Sequence, residues 1–361
     1  MHGERIRQAR ELSGFTQTEL FQRSGVGQSA IAQIESNAYV PSDPVLEAIA
    51  LQTGFDIGFL KQEKPPAEFP IGSFLYRSQA KVSPKEKAKT HRMAQLMFEI
   101  VLAMRPKLKE IPVLIPRTSE SPEVAAQIAR TSLGFSPESQ IPNLLGAIER
   151  AGVLVLKLPI EIEGLDGFSS WVGINNDIPI ICLLAGKKGY RQRFTLGEEL
   201  CHLIKHSPLR CTVVEADDEA HRFVGELLLP EEVIRAEISQ PITISSLWPQ
   251  RARYGVSLQF LLHRVLDLGL ITANQYKYLM VQISSRGWRK EEPGDAEIPQ
   301  EQPRMFPKMV EIVYGNPIDW QQLKRDTGGV PTPLLKTLLG KISFDDPGSD
   351  HKVLSFQKRV A

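Results

Sequence analysis

The chain has 361 residues, too many for one ordinary domain and suited to two or three, each able to bury a core. Its 43 Lys and Arg against 42 Asp and Glu give a net charge of +1, which excludes a polyanion partner held by bulk charge, so any nucleic-acid contact must come from a local patch. No apolar run approaches the roughly 20 residues that span a bilayer. The three cysteines, Cys182, Cys201 and Cys211, form no Cys-x-x-Cys pair, so reduced thiols, a cytoplasmic protein and no membrane partner are expected.

Residues 4–60 read as a compact all-helical unit. Glu4 to Leu12 carries Ile6 and Ala9 on one face, Gly14 breaks the chain, and Thr16-Gln17-Thr18-Glu19 is a capping box opening a second helix through Arg23. Ser24-Gly25-Val26-Gly27 is a tight turn. Gln28 to Ser36 then forms a third helix, with Ala30, Ile31 and Ile34 inward and Gln28, Ser29, Ala32 and Gln33 outward. Pro41-Ser42 introduces a fourth helix bearing Val45, Leu46, Ile49 and Ala50. Two helices across a short glycine turn, the second with a polar outer face, follow the plan by which a helix enters the major groove.

The run Arg10-Glu11-Leu12-Ser13-Gly14-Phe15-Thr16-Gln17-Thr18-Glu19-Leu20, with Gly25-Val26, Ile31, Glu35, Pro41-Ser42 and Leu46 to Ala50 behind it, closely resembles the repressor-type helix-turn-helix family known as XRE or Cro-type. The resemblance implies double-stranded DNA as partner, with Gln17, Gln28, Ser29 and Gln33 facing it. Glutamine amides pair with adenine edges, while a serine at a helix N-terminus suits phosphate. Two features depart from the family. Gly27 stands at the usual capping Ser or Thr, and residues 1–65 carry six Lys and Arg against eight Asp and Glu. Phosphate attraction is poor with that balance, so a homodimer, or basic residues further along, must make up the deficit.

Lys61 to Gly72, with Pro65, Pro66 and Pro70, reads as a linker. Ser83-Pro84 opens a long helix to about Met104, basic in its first half (Lys81, Lys85, Lys87, Lys89, Arg92) and apolar in its second. That basic half is either a solvated face or a flank for phosphates. From Ser121 the pattern is mixed. Pro122 to Leu133 and Ile141 to Ala151 are predicted helices, and Val153 to Leu158 a strand. Asp166 to Gly173 and Ile178 to Leu184 are predicted as two more strands, joined at Asn175-Asn176-Asp177 as a hairpin.

Phe194 to His206 is a buried amphipathic helix by its apolar spacing, and a further helix runs from about Ala216 to Leu229, stopped by Pro230. Glu198 and His202, four apart, are displaced by about 6 Å along the axis and about 40° around it. Two side chains so placed can hold one metal ion, as in the His-Glu-x-x-His helix of zinc peptidases. Here Glu198-Glu199-Leu200-Cys201-His202 puts Glu at the first ligand position.

Arg193-Phe194-Thr195-Leu196, His202-Leu203, Glu219 to Phe223 and Glu226-Leu227-Leu228-Leu229-Pro230 resemble, in order, the ImmA/IrrE metallopeptidase-like family over roughly residues 120–285. The resemblance implies Glu199 as general base if the site is active, Glu198, His202 and Asp217 as candidate ligands of zinc or manganese, and His221 and His206 in support. Two of the three ligand positions are altered. A set with one imidazole and two carboxylates adds negative charge, weakens Lewis acidity and raises the pKa of bound water, the opposite of what peptide hydrolysis needs.

Leu247 to Leu258, with Gly255-Val256-Ser257 in the turn, is a second helix-turn-helix-like pattern whose Arg251, Arg253 and Arg264 form a candidate basic surface. Arg286 to Pro307, rich in Pro and charge, reads as a linker. Trp320 to Arg325 and Pro333 to Leu339 are short helices, and Asp345 to Ala361 is a polar ending.

The expected architecture is multidomain: an all-α helix-turn-helix head (1–62), a linker and connecting helix (63–119), an α+β zincin-like domain of ImmA/IrrE type with a small sheet (120–288), and a C-terminal extension (289–361). The expected function is a sequence-specific DNA-binding transcriptional regulator controlled by a degenerate peptidase-like sensor domain. The alternatives are a metal-dependent endopeptidase cleaving a repressor-like protein, and an antitoxin-like or phage-immunity interaction protein.

Overall fold

A computed structural model describes residues 3–63, 83–162, 164–173, 175–206 and 213–339. The linker expected over 61–72 therefore lies mostly outside the described residues, as do Lys81, Cys211 and the polar ending.

The head is five helices: α1 (Gly3–Leu12), α2 (Gln17–Ser24), α3 (Gln28–Glu35), α4 (Asp43–Thr53) and the single turn α5 (Ile57–Leu60). The expected capping box opens α2: the Thr16 hydroxyl accepts from the Glu19 N–H, and the Glu19 carboxylate accepts from the Thr16 N–H. Gly25 ends α2 at φ +73, the left-handed region where a side chain is strained. Gly27 gives α3 no side-chain cap.

The long helix α6 (Pro84–Met104) starts on its own capping box, Ser83 with Glu86, and lies against α1. The seam between them is ionic and buried. Arg92 bonds Glu4 and Glu11 at 2.6 Å each, Gln8 donates to Glu99 at 2.7 Å, and Arg5 pairs with Glu99. Arg92, counted in the sequence as part of a basic face, is 4 % exposed and belongs to this seam.

The mixed region runs α7 (Pro122–Ser132), α8 (Leu144–Arg150), β1 (Leu154–Leu158), β2 (Gly167–Val172) and β3 (Ile178–Leu184). It continues as α9 (Gly189–Lys205), α10 (Val213–Leu228), α11 (Glu231–Glu237), α12 (Ile244–Tyr254), α13 (Leu258–Asp267) and α14 (Ala273–Ser285). The sheet order is β1-β3-β2, with β1 parallel and β2 antiparallel to β3, in the register Leu156 to Cys182 and Ser169 to Ile181. The β2–β3 connection is the expected hairpin, with Asn176 at φ +49. The central helix starts at Gly189, one turn before the first apolar residue that marked it in the sequence.

Because side chains alternate across a sheet, the strands serve two cores. Leu154, Leu156, Leu158, Phe168, Val172, Ile180, Cys182 and Leu184 share one with the head and α6. Val155, Ile181 and Leu183 point the other way, into the core of α7 to α14.

The C-terminal helices α15 (Met305–Tyr314), α16 (Trp320–Asp326) and α17 (Thr332–Leu339) return to the head and complete the first core with Phe306, Val310, Leu323 and Leu335. The Asp56 N–H donates to the Gly329 carbonyl at 3.1 Å, and Lys324 pairs with Asp56 at 2.9 Å. Residues 289–304, read as a linker for their Pro and charge, run as a strap whose acids are used. Glu292 accepts from Arg251 at 2.7 Å and from the first N–H of α13 at 2.8 Å, Asp295 accepts from Arg251 at 2.6 Å, and Glu301 pairs with Arg193.

The expected second basic surface is corrected: the strap takes Arg251, Glu226 takes Arg264, and Glu237 takes Arg253. Arg251 is 0 % exposed and Arg264 6 %, each neutralised by a buried carboxylate, and the exposed Arg253 is paired with Glu237 at 2.9 Å. Among the described residues no helix is long and apolar enough to cross a membrane.

Candidate functional site

On the head, Gln28, Ser29 and Gln33 of α3 are all exposed, on the face opposite the buried Ile31 and Ile34. Gln17 is half-buried and its amide N–H donates to Glu35 at 2.8 Å, while Glu35 in turn accepts from Arg10 at 2.5 and 2.9 Å. The start of α6 brings basic residues to the head: Lys85 reaches Glu19 at 2.8 and 2.9 Å and, with the capping contacts of Thr16, holds that carboxyl down to about 2.

In the mixed region α9, α10, α13, α14 and the entry to β2 enclose a cleft of about 1150 Å³. Glu198, Glu199, Asp217 and His221 all stand on its wall; His202 and His206 do not. Instead the His202 and His206 Nδ1 atoms lie 2.6 Å apart, a spacing at which one donates and the other accepts, and His206 Nε2 reaches Glu219 at 2.9 Å. Glu199 is 2 % exposed, and the Ser169 hydroxyl of β2 donates to its carboxylate at 2.7 Å.

Side chains that sequence spacing did not single out complete the wall. His221 meets Phe194, Phe260 and His263 edge to face, with ring centroids 5.3, 5.5 and 4.8 Å away, and His263 meets Tyr276 at 6.1 Å. Burial, then the neighbouring His263, pushes His221 below the ordinary histidine value. Phe260, His263 and Tyr276 come from α13 and α14, about 40 residues or more beyond His221, a distance no local pattern reports.

Residues 148–266 match the family described as the IrrE N-terminal-like domain, and residues 6–60 match the helix-turn-helix family. The chain joins a helix-turn-helix head to an IrrE-like domain. None of the curated proteins searched matches it. The helix-turn-helix match spans α1 to α5, and the IrrE-like match runs from α8 to α13, including α9, α10 and α13 of the cleft wall.

The sequence blocks that carry the IrrE-like resemblance are largely framework. Arg193 bonds Glu301 and the Ile141 carbonyl at 2.7 Å, and Glu226 takes Arg264 and the Glu231 N–H at 3.2 Å. These contacts tie α9 to the strap, and α10 to α11 and α13.

A hydrolytic metal does not fit the IrrE-like domain as it stands. Among the described residues no three His, Cys, Asp or Glu side chains are grouped to hold one ion. Glu stands at the first ligand position, and the imidazole at the second, His202, lies off the cleft wall that carries Glu198 and Asp217.

Proposed function

We propose that the chain is a cytoplasmic, homodimeric, sequence-specific DNA-binding transcriptional regulator in which the IrrE-like domain is a degenerate peptidase serving as sensor. The observation that carries this reading is the contrast between the two sites. The polar face of α3 is solvent-facing and ready for base edges, whereas Glu199 is tied to Ser169 and His202 to His206. Support for coupling comes from the shared sheet: one face of β1 and β3 packs with the head, the other with α9.

In this reading Gln28 and Gln33 contact base edges, Ser29 a phosphate, and Lys85, Lys87 and Lys89 supply phosphate attraction that residues 1–65 lack. Glu198, His202 and Asp217 remain as wall and support. The test is selection of a duplex from a random pool by the full chain, followed by anisotropy titration. Gln28→Ala with Gln33→Ala abolishes discrimination between selected and scrambled duplex, while Glu199→Gln leaves it unchanged. A selected duplex bound equally by the double variant overturns the assignment.

A further inference from the structure

The three arginines expected to form a basic surface on α12 and α13 are each matched to a carboxylate. Just past the end of α14 the opposite holds. Arg286, Arg289 and Lys290 are exposed, and among the described residues no Asp or Glu lies within ion-pair reach of them. Glu291, the next residue, is 3.9 Å from Lys188 instead.

Neighbouring cations repel, so a loop carrying three of them gains nothing from order unless something holds it. Here the backbone is held. The Gly287 and Trp288 N–H groups donate to the Ser284 and Ile283 carbonyls at 3.0 Å each, closing α14. Gln259 Nε2 of α13 donates to the Arg289 carbonyl at 3.2 Å, and Lys188 Nζ to the Lys290 carbonyl at 2.8 Å. Trp288 packs on Trp248 of α12, ring centroids 5.6 Å apart. The Arg286 guanidinium lies over the Trp288 ring, 5.2 Å from its centroid, and donates to the Gln282 amide oxygen at 3.3 Å.

Both partners of Arg286 are neutral. A guanidinium fixed by neutral groups keeps its charge uncompensated and part of its N–H fork free, the preorganisation that a phosphate contact needs. The dipole of α14 favours a cation in its last turn, which accounts for Arg286 at most; Arg289 and Lys290 lie beyond it. A chain of net charge +1 with an acidic head needs such a local patch to hold a polyanion. We infer that Arg286, Arg289 and Lys290 form a second contact with the phosphate backbone of the duplex that the head reads. The identity of the polyanion rests on the DNA-binding reading above.

The full chain is titrated with selected and scrambled duplex over a range of salt. Arg286→Ala with Arg289→Ala and Lys290→Ala is expected to weaken both alike, by more than about tenfold at about 0.1 M salt, and to lower the slope of log affinity against log salt by about 2.5. The ratio between the two duplexes stays, because phosphate contacts carry no sequence. Gln28→Ala with Gln33→Ala does the reverse: the ratio falls and the slope stays. Arg289→Gln with Lys290→Gln keeps the Arg286–Trp288 contact, and lowers the slope by about 1.8 without a fold defect. An unchanged slope in the triple variant overturns the inference and leaves the regulator reading standing. A slope that falls while no duplex is preferred sinks the regulator reading and keeps the patch. Preference for phosphatidylserine vesicles over duplex, lost in the triple variant, assigns the patch to a lipid surface and overturns the inference. Absence of binding to any duplex overturns both.

Discussion

Glu149 at the end of α8 accepts the backbone N–H of Met305 at 3.0 Å, and also that of Arg304, so one buried carboxylate holds the first turn of α15. Burial pushes this carboxyl up to about 7 even with both N–H groups pointing at it. Its folded value exceeds its unfolded one, so the stability it contributes is complete below about 4.5 and lost as pH rises through 7. At about 1.4 kcal/mol per pH unit the loss approaches 3 kcal/mol. Urea melts at pH 5 and pH 8 measure it, and Glu149→Gln is expected to flatten the difference. Glu11, Glu19 and Glu123 are shifted downward, so their losses fall at lower pH, outside this window.

Arg92→Ala removes the cation that Glu4 and Glu11 share in the buried seam, leaving Glu11 with Arg7 at 3.0 Å and Arg10 at 3.3 Å and Glu4 without its Arg92 bond. Removing one partner of a buried pair costs about 3–5 kcal/mol, far more than the pair itself contributes. The denaturant midpoint should fall accordingly, whereas Lys85→Ala, which breaks only the exposed pair with Glu19, is expected to leave it nearly unchanged. Equal effects from the two would contradict the burial difference.

Among the glutamines proposed to face DNA, their exposure ranks the expected losses. Gln28 and Gln33 are exposed, and each change to Ala is expected to cost about 1–3 kcal/mol of discrimination at one base pair. Gln17 already has its N–H on Glu35, so Gln17→Ala should cost less and should lower head stability as well. Anisotropy with single-position operator variants separates the three.

Elemental analysis of protein purified without chelator or histidine tag is expected to find less than stoichiometric zinc or manganese. Adding zinc should not produce peptidase activity toward a repressor-like protein. One zinc per chain, together with cleavage lost in Glu199→Gln, would restore the enzyme reading.

The parts of this fold legible in the sequence are those fixed by neighbours along the chain. Thr16 with Glu19 and Ser83 with Glu86 mark helix starts within four residues, and the short unbroken apolar run of Ile178 to Leu184 marks a buried strand. The cleft was legible by half. Glu198, Glu199, Asp217 and His221 line one wall from two helices, but His202 meets His206, the extended residue just past the end of its own helix. What defeated the reading was charge. Arg92, Arg251 and Arg264 read as basic surface because their carboxylates lie 81, 41 and 38 positions away. For the same reason Glu292, Asp295 and Glu301 looked like solvated linker residues.

The hydrogen bond from Asp56 to Gly329 has a practical side for anyone who wishes to cut this protein into pieces. A fragment ending near residue 63 carries Gln17, Gln28, Ser29 and Gln33 but loses Lys85, Lys87 and Lys89, and it also gives up Phe306, Val310, Leu323 and Leu335 from the core shared with Phe59 and Leu60. Weak binding by such a fragment would report a damaged interior and say nothing about the operator. Deleting the tail from an otherwise intact chain does the same injury from the opposite end.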